Sequence, residues 1–158
     1  MNRDEAIKNI TEHLKNDITS VFDKSPKRVY ISANASAIIR IADYMFHTMG
    51  ARFNIASAVD VRSHFEILYH FTIEDINLLI SFRVTLDKAK PEIDSLTRVF
   101  KASDWIEREI HEMFGINFKG HPNLKRLLLS DDWPEDIHPL KCDYTEWDKK
   151  AVRDRGVT

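Results

Sequence analysis

Residues 51–86 read ARFNIASAVDVRSHFEILYHFTIEDINLLISFRVTL, and their hydrophobic period is two. In 51–62 the apolar members are Phe53, Ile55, Val59 and Val61, among mostly small or polar neighbours. In 63–73 they are Phe65, Ile67, Tyr69, Phe71 and Ile73, alternating with His64, Glu66, His70 and Thr72. In 76–86 they are Ile76, Leu78, Ile80, Phe82, Val84 and Leu86. Alternation over three successive segments predicts strands with one buried face, because successive side chains of a strand point to opposite sides. Glu74-Asp75 leaves room only for a tight turn, so the last two strands form a hairpin.

Working outward, the N-terminal segment carries Ile7, Ile10, Leu14, Ile18 and Val21 at helical spacing, which predicts one amphipathic helix ending at Ser25-Pro26. Val29-Tyr30-Ile31 is a short strand. Asn34 or Ser36 is placed to cap a second helix, whose stripe is Ile38, Ile41, Ala42, Met45 and Met49 and whose stop is Gly50. Two helices over a sheet with one apolar face give an α+β fold. It is a two-layer sandwich with a mixed, mainly antiparallel sheet. Downstream, Pro91 interrupts, and Ile93, Leu96, Val99 and Phe100 suggest a short helix before Ser103 caps a longer one. From Gly120 the pattern dissolves into prolines and scattered charges, so a core domain over 1–119 is followed by an extended C-terminal tail over 120–158. Such a tail either lies free in solvent or lies along something else.

The 158 residues are enough for one domain with a core. Net charge is −2, from 23 basic and 25 acidic residues, which gives no footprint for nucleic acid or anionic lipid. No apolar run reaches membrane-spanning length, and MNRDEAIKNI has no signal-peptide apolar region. Cys142 is the only cysteine, so neither an internal disulfide nor a self-contained iron–sulfur site is available.

The densest chemistry lies in 105–139, WIEREIHEMFGINFKGHPNLKRLLLSDDWPEDIHP. At about 100° per residue, Trp105, Ile106, Ile110, Met113 and Phe114 share one half of a helical wheel. Glu109 falls inside that apolar arc, Glu107 sits at its edge, and Arg108, His111 and Glu112 point away. Glu107–His111 and Arg108–Glu112 have the spacing of i,i+4 pairs. A carboxylate at Glu109 would lose hydration and need a partner, for which Arg98, Arg126 or loop N–H groups are candidates. Its expected role is a brace, the sharper alternative being a titrating acid. Gly115 suits the left-handed residue that ends a helix, Ile116-Asn117-Phe118 alternates like an edge strand, and Gly120-His121-Pro122 forces a turn.

Other chemistries fit poorly. His111-Glu112 starts an HExxH zinc motif, but the second ligand position is Gly115. His121, His138 and Cys142 have no common zinc-site spacing and read as loop residues. Cys142 as a nucleophile would need a base and exclusion of water. The run NLKRLLL over 123–129 holds two cations, too few for nucleic acid, and reads as an apolar anchor. Trp133 and Trp147 on the tail strengthen that reading, since tryptophan favours interfaces.

The ordered motifs Glu107-Arg108-Glu109, Phe114-Gly115-Ile116, Gly120-His121-Pro122, Lys125-Arg126-Leu127-Leu128-Leu129 and His138-Pro139-Leu140-Lys141-Cys142-Asp143 resemble the signature of the 30 kDa subunit of complex I-type NADH:quinone oxidoreductases. The same module occurs in membrane-bound energy-converting NiFe hydrogenases. His64-Phe65-Glu66-Ile67-Leu68-Tyr69-His70 resembles the family's central strand. The resemblance implies a subunit without catalytic, cofactor or metal residues of its own. Its partners would be a hydrogenase-large-subunit-like chain and an iron–sulfur small subunit, which hold the iron–sulfur clusters and, in hydrogenases, nickel–iron. It implies a peripheral position on the cytoplasmic face of the membrane. Trp133, Trp147 and the motif residues, Leu128, Pro139 and Asp143 among them, would form the interface. Lys125 and Lys141-Cys142 replace the family's arginine and arginine-lysine, and Pro134 to Ile137 lengthen the approach to His138. These departures make a hydrogenase or formate hydrogenlyase the alternative host, and a stand-alone small enzyme the remaining one.

Overall fold

The computed structural model describes residues 1–145, so Trp147 lies outside the described residues. Five strands form the main sheet in the order β1-β2-β5-β4-β3. They are β1 (Ile18–Ser25), β2 (Arg28–Ala33), β3 (Arg52–Asp60), β4 (His64–Ile73) and β5 (Leu78–Asp87). Only the β2–β5 pairing is parallel, and β1–β2, β5–β4 and β4–β3 are antiparallel. This is the mixed, mainly antiparallel sheet that the alternation predicts.

β4 shows why the pattern is so regular. Phe65, Ile67, Tyr69, Phe71 and Ile73 are buried in strict alternation with half-buried neighbours. Across the hairpin Tyr69 pairs with Phe82 and Phe71 with Ile80, so two apolar rows face the same side. Glu74–Ile76 closes the hairpin, and Asn77 takes the left-handed conformation at φ +48, which asparagine tolerates.

The helices α1 (Arg3–His13), α2 (Ile38–Asp43) and α3 (Ser103–Phe114) bury Ile10, Ile38, Ile41 and Ile110 together with that apolar face. α2 continues through a π turn at Tyr44–Thr48 that buries Met45. A small parallel pair, β6 (Glu92–Asp94) with β7 (Asn117–Lys119), sets the two ends of the α3 region side by side.

Two expectations are corrected. Ile18 and Val21 do not continue the first helix. The chain turns at Leu14–Asp17, where the N–H groups of Asp17 and Ile18 bond to the Leu14 carbonyl, and Arg40 holds the Asp17 carboxylate. The following Ile18, Thr19, Val21 and Phe22 are β-branched or aromatic and pair as β1. The segment from Ile93 to Phe100 is no helix. Ile93 pairs with Phe118 in the small sheet, and only Leu96–Arg98 makes a single 3-10 turn.

From 120 to 145 the chain has no helix or strand. This arm does not trail away to wait for a partner. It is seated on α3 of its own domain, because α3 supplies hydrogen-bond partners to the arm's backbone.

Candidate functional site: helix α3 and its arm

Side chains four residues apart on α3 grip one stretch of the arm with opposite charges. The Arg108 guanidinium donates to the carbonyls of Lys125 (2.9 Å) and Arg126 (2.8 Å). The Glu112 carboxylate accepts the N–H groups of Leu127 (3.2 Å), Leu128 (2.8 Å) and Leu129 (3.1 Å). An irregular segment cannot satisfy its own backbone, and here one cation and one anion do it. Arg108 and Glu112 therefore do not pair with each other, as their spacing suggests; both turn to the arm.

The same logic ends the helix. Gly115 stands at φ +75 and donates to the His111 carbonyl. The carbonyls of Glu112 and Met113 would otherwise lack partners. His138 Nδ1 bonds the first at 2.8 Å and the Leu140 N–H bonds the second at 3.1 Å. The His138 ring packs so closely over Gly115 that a Cβ there would lie 2.6 Å from Nε2. The two motifs Phe-Gly and His-Pro thus form one cap, with Pro139 between its two bonds. Phe114, the last residue of α3, packs edge-on to Phe65 at 6.3 Å.

On the core side of α3 the buried residues are Ser103, Glu107, Ile110 and Phe114. Glu107 is the buried acid, not Glu109. It accepts Ser95 Oγ (2.5 Å) and the Leu96 N–H (2.7 Å). Burial pushes its carboxyl up to about 7 against the pull of those bonds. Trp105 is 70% exposed, so the wheel centred on it is rotated. The pattern misled because the arm gives α3 a second covered side and Ser95 with Leu96 makes a polar residue acceptable on the first. Glu109 is half-buried beside Trp105 and Leu128. Its proposed cations serve elsewhere: Arg126 donates to the Ser130 and Trp133 carbonyls, and Arg98 lies against Gly120.

Gly120 at φ +78 starts the arm. The His121 side chain behind it is fully buried, while Pro122 and Lys125 are exposed. Trp133 is half-buried, donates to the Ile137 carbonyl at 2.7 Å and stacks on Tyr144. Asp143 is exposed near Lys141. The structure keeps His121, His138 and Cys142 apart, each with its own partner.

The far end of the arm is tied to a residue that sequence reasoning missed. The Asp60 carboxylate, 1% exposed at the end of β3, meets Lys88 Nζ at 2.5 Å and accepts the Cys142 N–H at 3.0 Å. Burial alone would raise its carboxyl; the bonds from Lys88, Cys142 and the Arg62 N–H hold it below its ordinary value. Cys142 Sγ donates to the Asp60 carbonyl. No periodicity marks a strand-end aspartate for this role.

The grip on the arm leaves an apolar groove in the open. Phe53, Ile55, Trp105, Ile106, Leu127 and Leu128 line it, with Glu109 at its side. Ile55 is 48% and Leu128 60% exposed. β3 is an edge strand, so the groove borders an open sheet edge. A single exposed leucine means nothing, but a contiguous apolar surface around an exposed tryptophan has the composition of an interface. Among the described residues no group of three or more His, Cys, Asp and Glu side chains is arranged to hold a metal ion, and no helix is long and apolar enough to cross a membrane.

The family described as the respiratory-chain NADH dehydrogenase 30 kDa subunit matches residues 31–150. An NADH-quinone oxidoreductase subunit of Citrifermentans bemidjiense is 44% identical over 80 residues, 51% of this chain and 48% of that one. Formate hydrogenlyase subunit 5 of Escherichia coli is 27% identical over 126 residues, 77% of this chain but 22% of that one. The match thus spans about half of the first relative and about a fifth of the second. In structure, a chain of the archaeal membrane-bound sulfane sulfur reductase superposes with a TM-score of 0.78 at 19% identity, covering 97% of this chain and 90% of that chain.

Proposed function

Because the chain belongs to the family of the respiratory-chain NADH dehydrogenase 30 kDa subunit, we propose that it is a non-catalytic peripheral-arm subunit of a complex I-like, ion-translocating oxidoreductase. It docks and stabilises the hydrogenase-large-subunit-like catalytic chain on the cytoplasmic side of the membrane. The observation that carries the reading is the exposed groove of Trp105, Leu128 and Ile55, built on an arm that is fixed in place by Arg108 and Glu112. A surface held this firmly is prepared for a partner, since little ordering entropy is left to lose on docking. Electrons pass through iron–sulfur clusters of partner subunits, as the one cysteine, Cys142, cannot ligate a cluster.

A second host has support of its own. The formate hydrogenlyase relative aligns over more of this chain than the NADH-quinone oxidoreductase relative from Citrifermentans bemidjiense does, and in it the aligned part belongs to a much longer polypeptide. The chain then serves the equivalent role in a membrane-bound hydrogenase or formate hydrogenlyase. Affinity purification of the tagged chain from detergent-solubilised native membranes tests both. A co-purifying large subunit without two CxxC motifs indicates the quinone-linked host, and one with them the hydrogenase. A chain that emerges alone, or that carries iron or flavin by itself, contradicts the proposal.

A further inference from the structure

The two edges of the main sheet are built differently. β1 is guarded in the ways that edge strands commonly are. Its register with β2 shifts between Ile18 and Ser20 and again between Asp23 and Ser25, and Asp23 and Lys24 put charges on it. β3 is guarded only at its start. Its register with β4 shifts between Phe53 and Ile55, then runs without a break from the Ile55/His70 pair to the Val59/Glu66 pair. Ile55, Ala56, Ser57, Ala58 and Val59 include no charge and no proline. The charges on either side are already paired inside the chain, Arg52 with Glu74 at 2.6 Å and Asp60 with Lys88 at 2.5 Å. In an antiparallel edge strand, alternate N–H and C=O groups point away from the sheet. Among the described residues, no backbone hydrogen bond reaches residues 55–59 from outside the sheet.

We propose that β3 takes up a sixth strand, an uncharged extended segment of the large-subunit-like partner. This rests on the docking role given above and adds how the partner is held. At about 3.4 Å per residue the unguarded edge is roughly 17 Å long, room for a strand that bonds its backbone to β3. The apolar groove opens at the same strand: Phe53 and Ile55 line it together with Trp105, Ile106 and Leu128. Farther along, Val59 is 46% exposed on the same side of the sheet as Ile55. An incoming strand therefore finds backbone partners along the edge and apolar contact beside them. A charged segment would lose hydration there without gaining a partner, since residues 55–59 offer none and Arg52 and Asp60 are engaged. A second copy of this chain fits less well, because antiparallel self-pairing centred on Ser57 sets Arg52 opposite Arg62.

The test is hydrogen exchange at residue resolution, on the isolated full-length chain and on the assembly purified from native membranes. Alternate amides of residues 55–59 should exchange fast in the isolated chain and about a hundredfold more slowly in the assembly, with those of β1 unchanged. An assembly that contains the large subunit but leaves the β3 edge exchanging as in the isolated chain overturns strand addition, while the docking role stands. A protected edge in an assembly without a large subunit, or in a dimer of this chain, overturns the assigned occupant and that role with it. A chain recovered alone with its edge open overturns both. Val59→Lys gives β3 the kind of charge that guards an edge and should lower the recovered partner about tenfold, whereas Val21→Lys on β1 should leave recovery unchanged. Equal recovery with the two variants contradicts the proposal.

Discussion

The strand block at 51–86 and the arm at 120–145 are held by different physics. In the block, side chains bury one another: Tyr69, Phe71, Phe82 and Ile80 lose their contact with water and the backbone pairs with itself. In the arm, backbone N–H and C=O groups are bonded by side chains of another element, Arg108 and Glu112 of α3, and the arm's own His138 bonds the α3 backbone in return. The first arrangement is cooperative and should fail as a whole. The second is a set of local ties and should fail piecemeal.

The largest difference should come from the core. Phe71→Ala removes a fully buried ring and should cost about 4 kcal/mol, lowering the denaturation midpoint by circular dichroism and the hydrogen-exchange protection of the β4 and β5 amides together. Divergent transitions would break the contrast. Glu107, buried on α3 against Ser95 and Leu96, comes next. Its folded-state carboxyl titrates at about 7 against an ordinary 4.5. The folded chain holds that proton more tightly, so this contribution to stability is complete below the unfolded value and is lost as pH rises through the folded one. Relative to Glu107→Gln, the wild-type chain should lose about 3 kcal/mol across that window. A difference that does not vary with pH in urea titrations would count against a buried, mostly neutral Glu107.

Glu112→Ala should cost about 2 kcal/mol, with the loss confined to the arm. Hydrogen exchange at Leu127, Leu128 and Leu129 should accelerate while β4 amides keep their protection; loss of protection in both would erase the distinction. The smallest effect on stability belongs to Trp105→Ser, within about 0.5 kcal/mol because the ring is mostly exposed. Its effect should appear in partner binding, as weaker retention of the large subunit during purification.

The same contrast explains what the sequence reveals. The residues HFEILYHFTI of β4 announce a strand because water lies on one side and core on the other. β1 conceals itself: it is exposed along most of its length, so Val21 and Phe22 follow no burial period and the preceding helical spacing runs on into them. The ordered motifs from Glu107 to Asp143 fall on α3 and its arm, yet the wheel puts the wrong acid inside. Glu107 is accepted in the core by Ser95 and Leu96, twelve and eleven residues away along the chain, and no helical period can register such partners. Glu112 is legible only in reverse. Three consecutive leucine amides in a segment without secondary structure need an acceptor, and the acids of the preceding helix are the nearest supply. Asp60 and Lys88 left no trace, since an ion pair at strand ends looks like any solvated turn.

The central claim is that the groove beside the arm is a docking surface. A photo-crosslinking amino acid placed at Leu128 in the chain, expressed in its native host, tests it most directly. The account predicts a crosslink from this position into the hydrogenase-large-subunit-like chain of the intact complex. Crosslinks that stay within the chain while that complex is assembled would contradict it.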